Sequence, residues 1–151
     1  MLPFRRTSKR KAITRNKFWL FDVGVVNSLT RRGRIETGSE LFGRAFEHFI
    51  ALELRAWLSY TRQDMPLQYW RSTSKFEVDF VVGERFAVEV KGADQVGDRH
   101  LKGLRAFREE GLVPVLGVVS LDPEYRRTAD GLHIWPWEIF LSRLWEGALD
   151  R

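Results

Sequence analysis

Apolar positions along the chain change period several times, and each period predicts an element. Phe42, Phe46, Phe49, Ile50, Leu54 and Trp57 recur at helical spacing behind Ser39, which predicts an amphipathic helix capped by Ser39 and running to Tyr60. Leu67-Gln-Tyr-Trp-Arg71 alternates as a strand does, and Ser72-Thr-Ser74 breaks it. In Phe76-Glu-Val-Asp-Phe-Val-Val-Gly-Glu-Arg-Phe-Ala-Val-Glu-Val-Lys91 two alternating runs flank a turn, the signature of a hairpin whose strands each have one apolar face. After the polar loop Gly92 to Asp98, Leu101, Leu104 and Phe107 set a helical stripe, with Lys102, Arg105 and Arg108 turned away and Gly111 as its stop. Val113 to Ser120 is a continuous apolar run, as in a strand covered on both faces, and Leu132-His-Ile-Trp135 adds a short strand. Pro136 opens a last helix with Trp137, Phe140, Leu141, Leu144 and Trp145 as its packing face. Lys17-Phe-Trp-Leu-Phe-Asp22 is less decided: a short strand or a buried turn, with Val23 to Leu29 continuing it or opening a helix. Read in order, these elements predict an α/β domain, a three-layer α/β/α sandwich around a mixed sheet.

Hairpin parity brings chemistry into the pattern. Residues directly opposite in an antiparallel pair point to the same side of the sheet. A three-residue loop Gly83-Glu84-Arg85 sets Val82 against Phe86, hence Asp79 against Glu89 and Glu77 against Lys91. A two-residue loop would put Glu89 on the apolar face, so the hydrophobic pattern selects the odd loop. Two carboxylates then stand roughly 4.5–5.5 Å apart at Cβ, an arrangement that repels without a positive charge between them. A hard divalent cation such as magnesium or manganese suits that place. The plainer alternative is a solvated face in which Glu77 and Lys91 form a weak surface pair. Glu47 falls beside the apolar stripe of its helix and would face the sheet edge; a solvated glutamate is the plainer reading there.

The 151 residues, 44% hydrophobic, suit one compact domain with a real core. Absence of cysteine excludes disulfides and thiolate metal sites, and without an apolar run near membrane length a cytoplasmic, non-membrane protein is expected. His48, His100 and His133 lack the spacing of a zinc site. Of the 25 Lys/Arg and 20 Asp/Glu, ten and one fall between Met1 and Arg34, so the net charge of +5 is concentrated there. Residues 1–16 accordingly read as a basic arm or linker ahead of a domain spanning 17–151. Arg5, Arg6, Lys9, Arg10 and Lys11 on the arm, with Lys102 and Arg105 on the later helix, are candidates to lie along the phosphates of a nucleic acid, DNA in the first place. A solubilising tail and a solvated helix face are the alternatives. The Trp- and Phe-rich ends would suit a partner domain or, in its absence, a homodimer.

Glu47, then Asp79, then Glu89-Val90-Lys91 resembles the PD-(D/E)XK nuclease superfamily, with Val78 where the superfamily's name calls for proline. The longer run from Phe42-Gly-Arg-Ala-Phe-Glu-His-Phe-Ile50 through Tyr69-Trp-Arg-Ser72, Glu77-Val-Asp-Phe80 and Glu89-Val-Lys91 is similar to family 4143 of the domains of unknown function, found at the C-terminal end of many prokaryotic AAA+ ATPases. That likeness extends from Lys9-Arg-Lys11 and Lys17-Phe-Trp-Leu-Phe-Asp-Val-Gly24 to Trp145. The resemblance implies a restriction-endonuclease-like fold and a metal-dependent nuclease. Asp79, Glu89 and the Val90 carbonyl would hold Mg2+ or Mn2+, Glu47 would orient water or hold a second ion, and Lys91 would position the attacking water. It also implies an ATPase domain preceding these residues in a parent chain. No Gly-x-x-x-x-Gly-Lys-Ser/Thr loop occurs, so nucleotide is not held in the P-loop manner here. The other expectation is a nuclease fold kept, without catalysis, for binding DNA or protein.

Overall fold

The computed structural model describes residues 1–29 and 35–149; residues 30–34 of the basic N-terminal region and the last two of the 17–151 span lie outside it. Helix α1 (Val23–Leu29) takes the second of the two courses open to that segment, with the Asp22 carboxylate accepting the Val25 amide at its start. Helix α2 (Glu40–Tyr60) begins where expected, and the Ser39 hydroxyl accepts the Phe42 amide at 3.1 Å. Strands β2 (Leu67–Arg71), β3 (Glu77–Val82) and β4 (Phe86–Lys91) precede a 3₁₀ turn at Asp98–Leu101 and helix α3 (Lys102–Arg108). Strands β5 (Val115–Ser120) and β7 (His133–Pro136) and helix α4 (Trp137–Glu146) complete the predicted set. Two-residue strands β1 (Leu2–Pro3) and β6 (Arg126–Arg127), too short to show a period, cover the two sheet edges.

The seven strands run in the order β1-β2-β3-β4-β5-β7-β6. β4, β5 and β7 are mutually parallel, β1 is parallel to β2, and the remaining pairs are antiparallel. Both faces of this mixed α/β sheet are covered. Ile50, Leu54 and Trp57 of α2 pack with Phe80, Val82, Phe86 and Val88 and with Phe140 and Leu144 of α4. Leu104 and Phe107 of α3 pack with Val78, Val81, Ala87 and Val118 on the opposite face. Trp145, expected on the packing face of α4, is 44% exposed, so the buried stripe ends at Leu144.

The hairpin has the odd loop: Val82 pairs with Phe86, and Gly83 adopts the left-handed conformation that such a loop requires (φ 53°). Two details depart from strict alternation. Gln68 pairs with Val81 but Trp70 with Val78, so Asp79 and Phe80 together oppose Tyr69 in a β-bulge. The bulge turns Val78 toward α3 while Phe80 and Val82 face α2, where alternation placed all three on one side. The β3–β4 ladder runs to Phe80↔Val88 and no further, so Glu77 is not set against Lys91. Glu77 instead meets Lys17 and Arg71.

The segment read as a basic arm lies along the body. Leu2–Pro3 pairs with β2, Phe4 is buried against Phe107, and Ala12 bridges to Ser72. Between these points the Glu110 carboxylate accepts the amides of Ser8, Lys9 and Arg10 at 2.8, 2.9 and 3.1 Å.

Candidate functional site

The sheet opens where the β3–β4 ladder stops, and Asp79 fills the opening. The Val90 amide, which has no β3 partner at that point, donates to Asp79 Oδ2 at 2.8 Å. Glu89 and Lys91 alternate with Val88 and Val90 on β4, and Lys91 Nζ lies 3.1 Å from Glu89 Oε2. The other oxygen, Glu89 Oε1, is buried and has no hydrogen-bond partner among the described residues. It lies against α3 at Gly103, where a Cβ would collide with it and with the Glu77 carbonyl; glycine is what allows the helix this close. Glu47 arrives from the other face, between buried Phe46 and His48 on α2.

What joins Glu47 to the strand acids is a lysine that the sequence pattern does not single out. Lys17 Nζ stands 2.7 Å from Glu77 Oε1, 3.4 Å from Glu47 Oε1 and 3.9 Å from Asp79 Oδ1, and 5.1 Å from the centre of the Tyr69 ring. Its segment has no regular structure. The segment is held by a pair of backbone hydrogen bonds between Lys17 and Met1, by the His48 ring nitrogen donating to the Leu20 carbonyl at 2.7 Å, and by Trp19 against His48 and Phe80. One signal pointed there: a lone ammonium in the most aromatic run of the N-terminal region, Lys17-Phe-Trp-Leu-Phe21, needs a carboxylate if it is turned inward.

Burial governs the electrostatics. It pushes the Glu89 carboxyl up to about 7, with Lys91 pulling back and Asp79 adding to the rise. It does the same to Glu47, also to about 7, where the Asp79 charge adds and Lys17 opposes. Asp79 is raised by burial against the pull of Lys91, Lys17 and the Val90 amide. Burial works against the charge of both lysines, yet the surrounding carboxylates outweigh it and hold Lys17 and Lys91 above their ordinary value. Four acids, Glu47, Glu77, Asp79 and Glu89, therefore share two ammonium groups and the Arg71 guanidinium in a half-buried site, and the positive side of the balance falls short.

That shortfall bears on whether the residues suit a metal ion. Among the described residues no three His, Cys, Asp or Glu side chains are grouped to hold one. Magnesium, however, is held by one or two carboxylates while it keeps several waters. Asp79 and the unpartnered Glu89 Oε1 are donors of that hard, anionic kind, with the Val90 carbonyl on the adjoining peptide, so the donor set fits such an ion.

The expected phosphate-binding residues divide into two groups. Arg5, Lys9, Lys11 and Lys102 are exposed and make no ion pair among the described residues. Arg6 pairs with Glu84, Arg10 with Glu109 and the Ala106 carbonyl, and Arg105 with Asp98 and Asp130. An apolar cavity of about 180 Å³, lined by Trp57, Phe86, Val115 and Leu144 among others, lies beside the hairpin turn, at the opposite end of the strands from the acids. No described helix is long and apolar enough to cross a membrane.

The fold and site together define a mixed-sheet α/β domain with a half-buried carboxylate and lysine cluster at the open end of its central hairpin. The family DUF4143, a domain of unknown function, matches residues 42–140, which include Glu47, Asp79, Glu89 and Lys91, and the chain belongs to that family. No curated protein and no solved structure matches the chain.

Proposed function

We propose that the domain hydrolyses nucleic-acid phosphodiesters in a reaction dependent on magnesium or manganese, DNA being the favoured substrate, on a scaffold of the restriction-endonuclease-like kind. The observation that carries this reading is the buried, unpartnered Glu89 Oε1 beside Asp79 and Lys91 at the open end of the hairpin. Asp79, Glu89 and the Val90 carbonyl would hold the ion. When bound, such an ion acidifies an attacking water and offsets charge building on the phosphate. Lys91 would orient that water through its ammonium, and Glu47, pushed up to about 7 by burial, would orient it from the α2 side or hold a second ion. Exposed Arg5, Lys9, Lys11 and Lys102 would bind the phosphate backbone. As the likeness to domains of AAA+ ATPases implies, the activity would serve a motor that supplies the nucleotide hydrolysis this chain has no P-loop for.

A second reading is favoured by one observation: the Lys17 ammonium already sits among Glu47, Glu77 and Asp79. In that reading the nuclease fold is catalytically silent and binds DNA or a protein. Incubation of plasmid, single-stranded DNA and RNA with magnesium, manganese or a chelator separates the two. Cleavage that needs the metal and is lost in Asp79→Asn and Glu89→Gln supports the nuclease. Cleavage by Asp79→Asn at the wild-type rate, or DNA binding without any metal-dependent cut, overturns it.

A further inference from the structure

Lys17 differs from Lys91 in how it is carried. Lys91 belongs to β4 and is paired there with Ser120 of β5, so its backbone is fixed in the sheet. Lys17 belongs to a segment without regular structure whose neighbours are turned outward: Phe18 is 92% and Phe21 76% exposed. It is held by contacts at Met1, His48 and Trp19, by Trp19 against Phe80, and by the Tyr69 hydroxyl donating to the Arg15 carbonyl, and none of these is part of the sheet ladder. Yet its ammonium stands among three carboxylates that lie on two different elements, Glu47 on α2 and Glu77 and Asp79 on β3. Three like charges gathered in a partly dry site need a cation, and a lysine side chain and a metal ion are alternative ways of supplying one.

We propose that the Lys17 ammonium is the resident cation of the Glu47, Glu77 and Asp79 carboxylates, and a built-in competitor of a divalent metal ion for Asp79, the one carboxylate that the two would share. The segment around Lys17 is then a latch: seated, it keeps the acids neutralised; withdrawn, it leaves them to the metal. This inference rests on the reading of the acids as a metal site and deepens it. The central strands and α2 are untouched by the exchange, because they hold the carboxylates whether Lys17 is seated or not.

The test is Mn2+ binding to the full chain, followed through the electron paramagnetic resonance signal of the free ion. Lys17→Met is expected to bind Mn2+ about tenfold tighter than wild type or better, since a competing positive charge has gone. Lys17→Arg, which keeps the charge, is expected to stay near wild type. Adding Glu77→Gln to Lys17→Met should offset the gain, because it removes a neighbouring negative charge that attracts the ion without touching the Asp79 and Glu89 donor pair. Equal affinity in wild type and Lys17→Met overturns the competitor while leaving a metal-dependent nuclease standing. Binding by Lys17→Met alone, with none by wild type, upholds the competitor and removes the metal-dependent activity of the natural chain. A measurement on wild type serves if Lys17→Met fails to fold. Acetylation of Lys17, read by mass spectrometry, should quicken several-fold at saturating Mg2+, and an unchanged rate overturns the proposal.

Discussion

The Val90 amide and the Asp79 carboxylate meet at 2.8 Å across the opening between β3 and β4, so Asp79 both closes a gap in the backbone ladder and presents its second oxygen to Lys17. These two roles separate on substitution. Asp79→Asn keeps an acceptor for the Val90 amide and removes a buried charge, so it should fold at least as stably as wild type at neutral pH. Asp79→Ala orphans that amide and should lose about 1–3 kcal/mol. Both should lose any magnesium-induced rise in melting temperature. Urea denaturation of the pair checks this, and equal stability would mean that the hydrogen bond contributes nothing.

Protonation of the acids predicts an unusual stability profile. Glu47 and Glu89 titrate at about 7 in the fold against an ordinary 4.5, so between these values the folded protein holds protons that the unfolded chain has released. Stability should therefore be fully present below pH 4.5 as far as these groups are concerned, and should fall as pH rises through 7, by on the order of 1–3 kcal/mol. Magnesium at saturation should flatten the decline. Melting curves across that range, with and without the ion, would expose a flat or rising profile as a contradiction.

Gly103 predicts a packing failure. A methyl group there meets the Glu77 carbonyl and Glu89 Oε1, and the first of these is backbone that has no room to yield. Gly103→Ala should cost about 1–3 kcal/mol by forcing α3 off the sheet. It should also weaken Mn2+ binding, because Glu89 is pushed from its place. Denaturation and the free-ion signal measure the two effects in one preparation.

Glu110 predicts the fate of the N-terminal strap. Its carboxylate gathers the amides of three consecutive residues, Ser8, Lys9 and Arg10, at the end of α3. Glu110→Ala should leave those amides to solvent and accelerate their hydrogen exchange, while amides of β5 keep wild-type protection. Unchanged exchange at Ser8 to Arg10 would show the strap held by Phe4 and the Ala12 bridge alone.

Salt titration tests the proposed nucleic-acid contacts. Neutralising Arg5, Lys9, Lys11 and Lys102 should flatten the dependence of log affinity on log salt by about 0.9 for each phosphate of duplex DNA that the variant no longer neutralises. Arg10 and Arg105, already engaged by acids, should matter less. An unaltered slope would place the DNA elsewhere.

Much of the scaffold was legible because burial writes a period into the chain. The Ser39 cap, the α2 stripe, the odd hairpin loop and the apolar run of β5 all follow from side chains that have only one face to hide on. Less legible was anything that depends on partners remote in sequence. The bulge at Asp79 leaves no mark in the alternation of Phe76 to Val82, which reads as one unbroken strand; only the pairing of Trp70 with Val78 reveals it. Lys17 was hidden for the same reason: its carboxylates come from positions 30 to 62 residues away, and nothing local says that they converge. The strap around Glu110 joins residues about a hundred positions apart and is likewise invisible in one dimension.

Met1 and Lys17 exchange backbone hydrogen bonds, at 2.6 and 3.1 Å, and the residues directly after Met1 zip onto β2. The first strand at the sheet's rim and the ammonium among the acids are thus the two ends of one short lever. On the latch proposed for Lys17, whatever grips or peels that rim strand would retune the affinity of the carboxylates for metal, and filling them with metal would loosen the rim strand by the same free energy, because linked equilibria act reciprocally.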